Sequence, residues 1–318
     1  MFIHIYRRNN TYPTIYSCVI NQFIEMRKNV SSFIWGIFLI STLIGCNART
    51  DSNSEKQATT IDSTASPVPW KVATIAYTFR KFTFFEAISK TKELGIEYIG
   101  GYPGQVIGEG VEGNMDYKMD AETRNKVLAH LQSQGVKLID YGVITPKTEE
   151  DWKALFDFAK AMNIENIVSE PAPDQLQLVS KLCDAYGINV AIHNHPAPSH
   201  YWHPDTLLAS ISGLSNRIGA CADVGHWVRS GLDPVESLKK LDGRIKELHF
   251  KDESEKGPKP TEVVWGTGQA NVKEMLAELH RQNFSGFLSI EYESKPEDNL
   301  NEIKESLVYY DQIIKTLK

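Results

Sequence analysis

The chain has 318 residues and a formal net charge of −6, enough length for one large α/β domain or two smaller ones. The acidic balance and the lack of a Lys/Arg block in the body of the chain argue against a nucleic-acid partner. Its four cysteines are scattered, which excludes a disulfide framework; Cys183 in an expected helix and Cys221 in an expected strand read as buried small apolar residues.

In chain order, residues 1–25 fit no part of a targeting signal and read as an extension outside the functional chain, with translation starting at Met26. Met26-Arg27-Lys28 then precedes an uncharged apolar run ending in Leu43-Ile44-Gly45-Cys46. A basic start, an apolar stretch too short to span a bilayer and a small residue before a cysteine describe a secretory signal over 26–46. The last four residues resemble a bacterial lipobox, which implies lipidation of Cys46 and an extracytoplasmic protein held to the bacterial envelope, in the periplasm or at the cell surface, by its lipid alone. An uncleaved anchor helix is the competing reading. Residues 47–69, rich in Ser, Thr, Asp and Ala, read as a flexible tether.

From residue 70 to 318 β-branched runs alternate with helical patterns. Strands are expected at 71–79, 96–100, 136–143, 166–170, 188–193, 218–223, 244–250 and 287–292. Helices are expected at 84–94, 121–134, 149–162, 175–186, 205–212, 234–241, 272–282 and 300–317, with Gly95, Gly135 and Gly187 closing three of them. Eight such units in one domain predict a (β/α)8 TIM barrel. A doubly wound sheet is the alternative, but the first strand lacks a Gly-rich nucleotide turn.

Period-two alternation then sorts the strand faces. One face carries Asn166, Val168 and Glu170; Ala191, His193 and His195; Gly219, Cys221 and Asp223; Glu247, His249 and Lys251; and Ser289, Glu291 and Glu293. The other carries Ile167, Val190, Ile192, Leu248, Phe250, Leu288 and Ile290, as expected beneath outer helices. A lone Glu or His at a strand end is usually solvated or structural. Several metal-capable groups on one face at the C-terminal strand ends of a barrel read instead as a catalytic site holding a divalent cation. Tyr77, Tyr102, Tyr141, Trp202, Trp227 and Trp265 lie near strand ends, where aromatic rings either pack or stack on sugars.

At Asp223-Val224-Gly225-His226, His249-Phe250-Lys251-Asp252 and Trp265-Gly266-Thr267-Gly268 leading to Asn271, the chain resembles the xylose isomerase-like superfamily. That superfamily includes sugar (phosphate) isomerases and epimerases, tagatose/psicose 3-epimerases, inosose dehydratases and endonuclease IV. The resemblance implies one divalent metal (Mn²⁺, Mg²⁺ or Co²⁺, with Zn²⁺ also compatible) on Glu170, Asp223, His249 and Glu291, and substrate contact from His226. The chain departs from many relatives at Ile99-Gly100-Gly101-Tyr102, which lacks a Glu, and at His193-Asn194-His195, a further ligand or substrate-binding pair. His195 is placed at the site.

The resulting expectation is enolisation of a keto-sugar, with Glu170 and Glu291 as acid and base and His226 and Lys251 donating to the developing oxyanion. The outcome is isomerisation or epimerisation. A lyase that cleaves 3-keto-glycosides by β-elimination is the second reading, and a non-catalytic sugar-binding lipoprotein the third.

Overall fold

The computed structural model describes residues 68–317. The expected extension, signal, lipidation site Cys46 and most of the tether lie outside the described residues. The expected barrel is present: eight parallel strands close on themselves, each paired with its chain neighbours and the last with the first. They are β1 (Lys71–Ile75), β2 (Tyr98–Gly101), β3 (Lys137–Tyr141), β4 (Asn166–Ser169), β5 (Asn189–His193), β6 (Ile218–Asp223), β7 (Ile245–Phe250) and β8 (Phe287–Ile290).

Several of the helices between them start where a side chain takes up a free N–H group. In α1 (Phe84–Glu93), Thr83 and Glu86 form a reciprocal capping box. Asp120 caps α2 (Ala121–Gln134) and Thr148 caps α3 (Glu149–Ala161). Gly135 (φ 67°) ends α2 and Gly187 (φ 72°) ends α4 (Leu176–Tyr186), a left-handed turn that a Cβ disfavours. Four more helices complete the layer: α5 (Pro204–Ser210), α6 (Val224–Arg229), α7 (Pro234–Lys240) and α8 (Val272–Arg281); α9 (Leu300–Ile314) ends the barrel.

Ile167, Val190, Ile192, Leu248, Phe250, Leu288 and Ile290 face the helices in one continuous apolar core. Inside the barrel, Ala73, Ile139 and Phe287 pack at the N-terminal end, and Val168, Ala191 and Cys221 pack separately. Among them lies a polar layer of buried Asp140, Asn166 and Glu247. Burial, with Glu247 and Glu291 nearby, pushes the Asp140 carboxyl well above the usual carboxylate range, so it is a neutral acid there.

Four expected strands end early: the third stops at Tyr141, and the first, fourth and eighth meet polar contacts at their ends. The first stops at Ile75 and turns through a 3₁₀ segment, Ala76–Phe79. There the Thr78 hydroxyl donates to the Ile290 carbonyl (3.2 Å) and accepts the Tyr292 N–H (3.1 Å), which also draws the end of β8 out of the ladder. The fourth stops at Ser169, and the Glu170 N–H turns to the Thr145 hydroxyl (3.3 Å). Two hairpins and one helix were not expected: Val106–Gly108 with Val111–Asn114, Asp252–Glu253 with Glu262–Val263, and α6.

Candidate active site

The C-terminal strand ends converge on a cavity of about 470 Å³ lined by His193, His195, His226, His249, Glu291 and Glu293, with Tyr77 and Tyr102 at its rim. Two larger hollows, of about 750 and 650 Å³, open at the opposite end, around Arg217 and Lys246 and around Lys137 and Asn163. In (β/α)8 enzymes the chemistry sits at the C-terminal face, so the smaller cavity is the candidate.

Register puts Asp223 of β6 beside His249 of β7, and His249 beside Ser289 of β8. Asp223 ends its strand and at once caps α6, one oxygen accepting the His226 N–H at 2.8 Å. The Asp-x-x-His spacing is therefore a capping geometry that leaves Oδ2 buried among Lys251, His193 and His226. Asn194 locks the position, its amide donating to the Asp223 carbonyl and accepting the Asp223 N–H, both at 2.9 Å.

Potential ligand atoms of Asp223, His249 and Glu291 all lie within 4.8 Å of one another. Asp223 Oδ2 and both ring nitrogens of His249 are buried without a hydrogen-bond partner. Buried donor atoms of two carboxylates and an imidazole gathered this closely suit a divalent cation of borderline hardness. Glu170, the fourth expected ligand, belongs to a neighbouring group with His193 and His195. It bonds His195 Nδ1, accepts from the Ser199 hydroxyl at 2.8 Å and lies 3.5 Å from His193. His193 joins the groups, with Nε2 3.5 Å from Asp223 Oδ2.

Lys251 has a different place from the one expected. Its side chain is fully buried and does not line the cavity. The ammonium lies 2.6 Å from Glu291, 3.0 Å from Asp223, 3.6 Å from Glu293 and 3.8 Å from Glu262. A Cβ on Gly225 would collide with its stem, so that glycine lets Lys251 pass under α6. Burial disfavours the charge, but these four carboxylates hold the ammonium well above the usual lysine range. It acts as an internal counter-ion rather than a hand toward substrate.

The ionisation states follow. Burial raises the Glu291 carboxyl, yet Lys251 and His249 outweigh it and hold the group below the usual carboxylate range. Burial likewise opposes Glu170, but hydrogen bonds from His193 and His195 keep it ionised. Burial lowers His226 to about 3 against the pull of Asp223, leaving a neutral imidazole at the cavity wall. Asp223 is held well below the usual range despite burial by His226 and Lys251; with His226 neutral, the ammonium is the charge we assign to it. Burial also lowers His193, but hydrogen bonds it donates to Asp223 and Glu170 carry it up to about 9.

Several site residues escaped the sequence reading. Arg229 donates to Glu253 at 2.9 Å and reaches Glu262 at 3.5 Å, and both carboxylates arrive on the 252–263 hairpin. On strand two Gly100 makes room for Asp140 of the neighbouring strand: a Cβ there would collide with its carboxylate. Of the six aromatics, Tyr77 and Tyr102 reach the cavity, 5.1 Å apart edge-on. Tyr141, Trp227 and Trp265 are instead buried: the Tyr141 hydroxyl donates to Met115, and Trp265 packs on Phe250.

The family model described as xylose isomerase-like TIM barrel matches residues 145–313, which include every one of these ligand positions. The chain belongs to the xylose isomerase-like TIM barrel family. A crystal structure of an uncharacterised Parabacteroides distasonis protein is 35% identical with TM-score 0.65, covering 77% of this chain and 99% of that one. A crystal structure of the IOLI protein with a bound zinc atom shares the fold at 16% identity and TM-score 0.61, covering 78% of this chain and 99% of that one. An inosose dehydratase of Clostridium tetani is 26% identical over 164 residues, 47% of this chain and 49% of that protein. The chain thus spans about half the length of the curated relatives it matches.

Proposed function

We propose that this xylose isomerase-like barrel binds one divalent metal ion and removes a proton beside the carbonyl of a sugar or sugar derivative, as an isomerase or epimerase. The observation that carries the proposal is the convergence of Asp223, His249 and Glu291 within 4.8 Å at the catalytic face. Glu170 is the fourth group we assign to that ion, from the neighbouring group it forms with His193 and His195. When bound, the ion supplies Lewis acidity toward a substrate carbonyl or hydroxyl oxygen.

The chain's own residues supply the rest. Glu170 and Glu291 are both kept as carboxylates by their neighbours, so each is ready to accept a proton. They stand in separate groups of side chains, which suits removal of a proton on one flank and return on the other. Neutral His226 donates a hydrogen bond to a substrate oxygen without adding charge. Exposed Tyr77 beside Tyr102 offers a sugar face an apolar wall.

The relation to a dehydratase favours a second reading with the same first step. After the α-proton is lost, expulsion of a β-substituent instead of reprotonation makes the enzyme a lyase, with a 3-keto-glycoside as the kind of substrate it would cleave. The test is mass spectrometry of products from free and 3-keto sugars in D₂O. Deuterium at the carbon beside the carbonyl with otherwise conserved mass supports the isomerase or epimerase, and release of a fragment supports the lyase. Glu170→Gln and Glu291→Gln should each lower turnover by ~10²–10⁴-fold. Undiminished turnover in both refutes the acid–base assignment. We further propose that the protein is exported and held to the envelope by a lipid on Cys46.

A further inference from the structure

His249 presents its two nitrogens to two different chambers. Nδ1 faces the mouth, 3.1 Å from Glu291 Oε2. Nε2 faces the barrel interior, where Glu247 Oε1 lies 4.0 Å away. Glu247 precedes His249 by two residues on β7, so it shares the inward face one layer lower.

The other Glu247 oxygen is held by a chain of amides. Asn166 Nδ2 donates to Glu247 Oε2 (2.7 Å), Asn189 Nδ2 donates to Asn166 Oδ1 (3.0 Å), and Arg217 Nη1 donates to Asn189 Oδ1 (3.4 Å). This line fixes the carboxylate from the far end of the barrel and leaves Oε1 free. Glu247 Oε1 and His249 Nε2 are both buried and both without a hydrogen-bond partner. At 4.0 Å the two atoms stand just outside hydrogen-bond reach, and a buried N–H facing a buried carboxylate oxygen gains by closing the gap.

A neutral imidazole carries one proton, and both nitrogens of His249 face a carboxylate; once a cation takes Glu291 and Nδ1, Glu247 is the acceptor left for that proton. We propose that Glu247 is a positioning residue: it accepts the Nε2 proton of His249, so that the Nδ1 lone pair stays free toward Asp223 and Glu291 for the divalent ion. Metal-bound imidazoles commonly have such a partner, and its loss weakens metal binding by about 10–100-fold. The inference rests on the metal reading above and adds a residue that touches neither metal nor substrate.

Glu247→Gln separates this role from simple support of Asn166. Glutamine keeps the volume and an acceptor oxygen for Asn166, but its NH₂ turned to His249 demands a lone pair at Nε2 and drives the proton to Nδ1. Calorimetric titration of metal-free protein with Mn²⁺ should give a Kd about 10–100-fold weaker in the variant, with the metal-free melting temperature little changed. Wild-type uptake with an equal Kd in the variant overturns the role of Glu247 alone. No Mn²⁺ uptake by the wild type overturns the metal reading, and this proposal with it. Should the variant not fold, ¹⁵N imidazole spectra of the wild type loaded with diamagnetic Zn²⁺ decide, with His249 identified by its loss in His249→Gln. A proton on Nε2 is expected, and one on Nδ1 overturns the proposal.

Discussion

Glu262 shows how a residue that touches no substrate can set the pH behaviour of the site. It reaches the mouth from the 252–263 hairpin, where Oε2 accepts the N–H groups of Glu293 and Ser294 and Oε1 lies near Arg229 and Lys251. Burial pushes its carboxyl from 4.5 up to about 8, against the pull of Lys251. A folded value above the unfolded one means the folded state binds the proton more tightly. The contribution is therefore complete below about pH 4.5 and lost as pH rises through about 8. Denaturant midpoints measured in chelator at pH 5, 6.5 and 8 should fall more for the wild type than for Glu262→Gln, whose amide has no proton to lose. A difference independent of pH would rule this out. Asp223, His249 and Glu291 could be read from the sequence because each ends an apolar strand on the alternation's inward side. Glu253 and Glu262 could not, because the Gly257-Pro258 turn between them carries no periodicity.

At the scale of elements, two of the quoted sequence patterns prove to be one structure. Asp252, the last residue of His249-Phe250-Lys251-Asp252, accepts N–H groups from Glu253, Gly266, Gly268 and Ala270 at 2.9–3.0 Å. A Cβ at Gly268 would strike that carboxylate, and one at Gly266 would strike Tyr309. The Trp265-Gly266-Thr267-Gly268 loop is thus moulded round an acid that follows β7. Asp252→Ala strands four donors around a charge-assisted acceptor. It should cost at least about 3 kcal/mol in urea unfolding at unchanged slope, with Asp252→Asn losing less because one oxygen remains. A loss below about 1 kcal/mol would show that the loop holds itself. The helices were legible because caps and closing glycines are local signals. Strand ends were less so, because Thr78 and Thr145 decide them through contacts distant in sequence. Helix α6 was missed because its capping aspartate also reads as a ligand.

For the whole molecule, eight strand–helix units without a Gly-rich turn after the first strand pointed to a closed barrel rather than a doubly wound sheet, and the strands do close. Which carboxylate meets which imidazole was not specified, since it depends on shear between strands that sequence does not state. Glu170, grouped with His193 and His195, is the instance. The barrel accounts for residues 68–317, and among them no helix is long and apolar enough to cross a membrane. The preceding segment carries a separate proposal, resting on Leu43-Ile44-Gly45-Cys46 after an apolar run and on the polar stretch that follows. A tether of that composition buries little apolar surface and leaves the barrel to fold independently of its anchor. Cys46→Ser should therefore move the protein from the membrane fraction to the soluble fraction, while the purified variant melts at the wild-type temperature. Intact mass of the native membrane-fraction protein should show a lipid-modified chain starting at Cys46 and nothing of the preceding residues. An unmodified N-terminus at Met1 or Met26, or unchanged partitioning of the variant, would refute the anchor.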